Sequence, residues 1–261
     1  MKHILTTSNL ILGYPNKKDP KLNVVVAENC NLNLESGKLN ALIGANGIGK
    51  STLLRTLTNI QKPIAGNVFL NEKNINTYSA LDLAKNLSVV LTEKLPASNL
   101  TVFELIALGR QPYTNWIGKL SDLDYSKVQN AIKMTQIEHL SHKKHYEISD
   151  GQLQKVLIAR ALAQDTPLII LDEPTTHLDL LHKVSVLKLL KKLTLETNKC
   201  ILFSTHDIDL AIQLSDEMIV MTPESIIQDE PCNLIEKGVF KSLFQDENIV
   251  FDQQKGKFVI L

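Results

Sequence analysis

Gly44, Ala45, Asn46, Gly47, Ile48, Gly49, Lys50 and Ser51 follow the order G-x-x-x-x-G-K-[ST]. Such a loop turns several backbone N–H groups toward one phosphate chain, and the helix behind it adds the positive end of its dipole. Lys50 would reach the β- and γ-phosphates, and the Ser51 hydroxyl would hold Mg²⁺. Thr52, next in the same turn, joins the expected nucleotide contacts. A second group suits the other half of the chemistry. Asp172 and Glu173 end the apolar run Leu168–Leu171. Carboxylates at the carboxyl end of a buried strand sit where open α/β sheets bind ligands. Asp172 suits the shell of Mg²⁺, and Glu173 suits a base that polarises a water toward a γ-phosphate. A Gly-rich turn or an acidic pair alone is a common surface feature. Their positions after strand-like runs set these two apart.

Particular elements must place these residues. Leu39–Ile43 is an apolar run before the loop, and a helical pattern follows from Lys50 to about Leu57. Cys30–Glu35 alternates apolar and polar residues, which predicts one half-buried strand of an antiparallel sheet, with Val68–Leu70 as another strand. From about 94 to 162 the pattern is mainly helical, with capping boxes at Thr101–Glu104 and Ser149–Gln152. Leu168–Leu171, Cys200–Phe203 and Met218–Met221 are apolar runs separated by helical patterns over Leu180–Glu196 and Asp207–Leu214. That alternation predicts a parallel sheet. Ile249–Phe251 and Phe258–Leu261 flank a turn-like stretch and predict a small hairpin.

Composition narrows the classes. The 261 residues are 44% hydrophobic, with 28 Lys+Arg against 28 Asp+Glu. This is globular composition, and it argues against disorder and fibrous repeats. A neutral chain whose only arginines are Arg55, Arg110 and Arg160 lacks the positive field of a nucleic-acid binder, so no nucleic-acid partner is expected. No apolar run nears the ~20 residues of a membrane span. The separated thiols Cys30, Cys200 and Cys232 suit a reducing compartment, so a cytoplasmic setting is expected.

With these elements in order, the chain resembles the ATP-binding-cassette ATPases over nearly its whole length. Gly44–Ser51 resembles the family's Walker A motif and Leu168–Glu173 its Walker B motif. Ile148-Ser149-Asp150-Gly151-Gln152 resembles the signature written L-S-G-G-Q. Thr176–Asp179 resembles the D-loop, His206 the switch histidine, and Tyr14 the aromatic that stacks on adenine. The resemblance implies an α/β P-loop fold in a single domain, 1–261. It should have a mostly parallel core sheet, an antiparallel β-subdomain and a helical subdomain near 94–162. It implies Lys50, Glu173 and His206 as catalytic residues, and Ser51, Asp172 and Glu93 on the metal. It also implies a head-to-tail homodimer. ATP would lie between one copy's phosphate loop and the partner's signature (Ser149, Asp150, Gly151, Gln152), with Asp179 at the joint. A peripheral place on the cytoplasmic face of the plasma membrane follows, under a permease and served indirectly by a substrate-binding protein. Leu108–Tyr113 and Pro174–Leu180 resemble the subfamily that powers import of ferric siderophores, haem or cobalamin.

Two positions depart from the family pattern. Glu93 stands where a Gln is usual, and Asp150 stands at the first Gly of the signature. Glu keeps an oxygen acceptor but loses the amide donor. Those changes motivate a rival reading, a regulatory subunit that hydrolyses weakly. Other rivals are a zinc or manganese importer and a soluble cassette of translation or repair; against the last stand a single phosphate loop and no long heptad run. Finally, Leu100–Tyr113 is rich in apolar residues. One face of it should pack on the core, leaving the rest, with Trp116 and Ile117, as the wall of a groove. The resemblance implies that this groove, beside the loop at Glu93, receives a short permease helix.

Overall fold

The computed structural model describes residues 2–16, 19–91, 98–243, 249–252 and 256–260. Its strands, in chain order, are β1 (His3–Tyr14), β2 (Val24–Cys30), β3 (Asn33–Glu35), β4 (Leu39–Gly44), β5 (Ala65–Leu70), β6 (Lys73–Asn74), β7 (Leu87–Val90), β8 (Leu168–Leu171), β9 (Cys200–Ser204), β10 (Glu217–Met221), β11 (Ile226–Asp229), β12 (Ile249–Asp252) and β13 (Lys257–Ile260). The α-helices are α1 (Lys50–Leu57), α2 (Ala80–Ala84), α3 (Val102–Ala107), α4 (Asp122–Met134), α5 (Asp150–Ala163), α6 (Leu180–Thr197), α7 (Ile208–Leu214) and α8 (Pro231–Glu236).

The core sheet runs in the order β11-β10-β4-β9-β8-β7. Every pairing in it is parallel except the edge pair β10–β11. β8 and β9 are buried along their whole length, as expected of parallel strands covered on both faces. Alternate residues serve two different cores. Ala41, Ile43, Ile169, Leu171, Ile201 and Phe203 face a core shared with α5 and α6. Leu42, Leu168, Ile170, Cys200 and Leu202 face one shared with α1 and the N-terminal strands. The period-two pattern of a strand produces this split.

An antiparallel sheet, β2-β1-β5-β6 with β3 also on β1, forms the second layer. Here the single strand expected over Cys30–Glu35 is corrected: β2 ends at Cys30 and β3 begins at Asn33. Both pieces pair with β1, but the register breaks between them. The Thr7 hydroxyl fills the gap, donating to the Cys30 carbonyl at 2.8 Å and accepting from the Leu32 N–H at 2.7 Å. Asn29, at φ 53, turns the chain just before the break. The alternation was real, but it spans a kink.

The helical region holds α3, α4 and α5. Thr101 and Ser149 begin helices with capping boxes, as expected, and Ser121 begins α4 with a third that sequence analysis did not pick out. Leu108–Tyr113 forms a 3-10 helix that packs onto α5. A Cβ on Gly109 would stand 2.3 Å from the Arg160 carbonyl oxygen, so only glycine permits this approach. The C-terminal strands β12 and β13 pair as the expected hairpin.

Candidate functional site

The chemistry gathers at the carboxyl ends of neighbouring strands. β4 feeds the phosphate loop, β8 feeds Asp172 and Glu173, and β9 feeds Ser204 to His206. Parallel register brings Ser204 beside Leu42 and sets Phe203 beside Leu171. α1 begins directly from the loop, with Gly49 as an N-cap that has no capping side chain. The first turn of α1 is thus left without the side-chain acceptor that most helices use there.

Lys50 is buried, and its Nζ donates to the carbonyls of Gly44 at 2.8 Å and Ala45 at 3.2 Å. Burial lowers its pKa, while the charges of Glu173 and Asp172 oppose that shift. Ser204 ties the acidic pair together. Its hydroxyl donates to Asp172 Oδ1 at 2.7 Å and accepts the Glu173 N–H at 2.8 Å. Glu173 takes φ 47, a left-handed conformation that costs on the order of 1–3 kcal/mol for such residues. Its carboxylate accepts from Thr176 Oγ1 at 2.8 Å and from His206 Nε2 at 2.7 Å. Burial alone would raise the Glu173 pKa, but these two hydrogen bonds and the charges of His206 and Lys50 hold it below the usual carboxylate range. A carboxylate accepts only, so Nε2 carries the proton in this pair.

Ser51 and Asp172 line one cavity of about 450 Å³, with Arg55 and Thr58 along its wall. A hydroxyl and a carboxylate are hard oxygen donors, which is the donor set Mg²⁺ takes beside phosphate oxygens. Tyr14, at the end of β1, is half exposed, and its hydroxyl lies 3.2 Å from Thr52 Oγ1 in the first turn of α1. Glu93 lies outside the described residues.

The remaining candidates form a second group. Ser149 caps α5, accepting the Gln152 N–H at 3.3 Å, while Gln152 Oε1 accepts the Ser149 N–H at 3.0 Å. Asp150, first in the helix, is exposed. Asp179 caps α6. Among the described residues no hydrogen bond or ion pair joins Ser149–Gln152 or Asp179 to Gly44–Thr52. The structure thus brings Lys50, Ser51, Asp172, Glu173 and His206 together and leaves the signature group apart in the same chain.

Sequence analysis gave no role to Ser204 and placed Thr176 only within the D-loop resemblance, yet these two residues hold the acidic pair. One signal was present: Ser204 is a hydroxyl at the end of the otherwise apolar run Cys200–Phe203. Asp207 was also missed; it accepts from Lys183 at 2.9 Å and Thr175 at 3.2 Å, binding α6 to the loop after β9.

The family model described as ABC transporter matches residues 27–176. The chain is 37% identical to the iron(3+)-hydroxamate import ATP-binding protein FhuC of Bacillus subtilis over 259 residues, 98% of this chain and 94% of that one. A solved metal-chelate-type ABC transporter in an inward-facing conformation superposes with a TM-score of 0.80 at 27% identity, covering 99% of this chain and 96% of the other. A bacterial ABC transporter cassette solved as a dimer superposes with a TM-score of 0.72, also at 27% identity, over 87% of this chain and 99% of that one. The strand-end constellation, the core sheet and these likenesses agree, and the chain belongs to the ABC transporter family as one of its ATPase subunits.

Proposed function

We propose that this chain binds ATP with Mg²⁺ at the strand-end constellation and hydrolyses it to power import of an iron complex, a ferric siderophore or haem, or of cobalamin, through a separate permease. The Glu173 carboxylate is the observation that carries the reading. It is held ionised and fixed from two sides by His206 and Thr176, beside the loop that carries Lys50. In phosphoryl transfer, catalysis is mostly positioning and charge stabilisation. Lys50 exchanges its loop carbonyls for phosphate oxygens, and the loop's N–H groups take the rest of the charge. Ser51 and Asp172 would hold Mg²⁺, and the ion would supply charge neutralisation at the phosphates. Glu173 orients the attacking water and accepts its proton. His206 donates to Glu173 through Nε2 and steadies it. Tyr14 stacks on adenine.

The cargo class follows the iron-hydroxamate relative and the metal-chelate transporter. The homodimer follows from the two separated groups: the signature of one copy completes the phosphate site of the other. Leu180 and Leu181, next to Asp179, are exposed at 67% and 82%, an apolar edge suited to a second copy. Docking under the permease places the subunit peripherally on the cytoplasmic face of the membrane, with the substrate-binding protein reached only through the permease. Val102, Leu105 and Ile106 are core, while Tyr113, Trp116 and Ile117 are exposed and offer the groove wall. The test is phosphate release by the purified chain and cargo uptake with its permease in vesicles. Release lost in Lys50→Ala, with uptake, supports the reading; release unchanged in that variant overturns it.

A further inference from the structure

Asp179 Oδ1 accepts two hydrogen bonds from a single residue: the backbone N–H of His182 at 2.9 Å and the ring Nδ1 of His182 at 2.8 Å. Since a carboxylate only accepts, Nδ1 bears a proton and the ring is tethered to the D-loop. The other edge of the ring lies on the signature. A Cβ built on Gly151 would stand 2.7 Å from His182 Cδ2 and 3.2 Å from Cγ, so the imidazole closes over the glycine's own Cα. Gly151 is buried, whereas Ser149 and Asp150 beside it are exposed. One side chain therefore spans the beginnings of two helices, fixed to α6 by its tether and to α5 by contact.

We infer that His182 is a positioning residue for the composite ATP site, the strut that sets the Ser149–Gly151 turn at a fixed angle to the D-loop. The inference rests on the dimeric reading above. The chemistry makes the angle matter. The N–H groups at the start of α5 stabilise a partner's γ-phosphate only when they point at it, and hydrogen-bond strength falls steeply with misalignment. Ser149 and Gln152 bond to each other and fix the turn internally. They do nothing to orient it toward α6. Leu153 and Leu178 pack against the shared core behind the two helix starts, and His182 adds a tethered contact at the turn itself. Among the described residues it makes no hydrogen bond or ion pair with the phosphate loop or Glu173, so one copy's own nucleotide pocket does not depend on it. Its effect is felt across the dimer, when the signature of one copy meets ATP held by the other. Half of the side chain is exposed in the single chain.

The experiment uses the full chain in the Glu173→Gln background, where an ATP-bound dimer is expected to accumulate, and in the parent for kinetics. His182→Ala removes tether and contact. His182→Asn places an amide donor near the position of Nδ1 and keeps the tether without the outer ring. Expected results are a fall of roughly tenfold to a hundredfold in kcat for His182→Ala, the scale of a small misplacement in a catalytic site. ATP affinity of the monomer, read by calorimetry, should be unchanged. Light scattering should show that His182→Ala needs more ATP to form the dimer, with His182→Asn between it and the parent. Parent-like kcat and dimer formation in both variants would overturn the inference. Failure of Glu173→Gln itself to form an ATP-dependent dimer would overturn the dimeric reading, and the inference with it.

Discussion

Two polar networks in this molecule each pair a basic side chain with a carboxylate at hydrogen-bond distance, and they differ in what they do. At the strand ends, Glu173 and His206 are paired at 2.7 Å, with side chains 26% and 44% exposed. In the helical region, Arg110 and Asp124 are paired at 2.8 Å, with side chains 4% and 6% exposed. Arg110 also donates to the Ala163 carbonyl at 2.8 Å, at the end of α5, and its guanidinium stacks 3.9 Å from the Tyr113 ring centroid. Asp124 also accepts from Ser121 within its capping box. Every side of that network is occupied by protein, so it is architecture. The Glu173 network leaves its outer face open and stores a left-handed backbone at the acid itself. Leu108–Tyr113 resembles a subfamily marker, and here its Gly109 and Arg110 serve to lock the helices together.

Breaking each network should therefore damage a different property. Glu173→Gln should slow hydrolysis by roughly 10²–10⁴, the span of general-base loss, with the melting temperature near that of the parent. Phosphate-release kinetics and calorimetry on the same sample check both halves. Arg110→Ala leaves Asp124 as an unpaired buried charge and should cost about 3–5 kcal/mol of unfolding free energy by urea titration. ATP affinity of the folded fraction should hold, and Arg110→Lys should not restore stability, because one ammonium cannot replace a three-way fork. If Arg110→Ala abolished nucleotide binding while the chain stayed folded, the contrast would fail.

Acid sharpens the same comparison. Burial pushes the Asp124 carboxyl up, but hydrogen bonds from Ser121 and the Arg110 guanidinium outweigh it and hold the pKa below its ordinary 3.8. A depressed carboxylate contributes stability that is present above its unfolded pKa and lost as pH falls through the folded one. Stability should thus drop below pH 3.8, and Asp124→Asn should flatten that part of the curve when unfolding is followed against pH. Glu173 is depressed in the same direction, so the hydrolysis rate should not be limited by its protonation at neutral pH. The smallest effect is expected at Trp116, which is 95% exposed. Trp116→Asp should change stability by under about 0.5 kcal/mol and leave ATPase activity of the isolated chain intact. It should reduce permease capture in pull-downs, and undiminished capture would move the docking groove elsewhere.

The phosphate loop, the acidic pair and the parallel strands were legible because each is written in consecutive residues, through glycine spacing, an apolar run and period-two burial. The capping boxes at Thr101 and Ser149 were legible for the same local reason. Tertiary structure alone decided the rest. Ser204 holds Asp172 and Glu173 only because β9 lies beside β8, and nothing within either strand announces that register. The strand expected through Cys30–Glu35 breaks because a threonine on β1 satisfies the backbone at its middle. Arg110 is structural because Asp124, Ala163 and Tyr113 surround it. His182 meets Gly151 because α5 and α6 begin side by side. Local pattern depends on neighbours along the chain, whereas a hydroxyl, a charge or an imidazole acquires its role from groups the fold brings in from elsewhere.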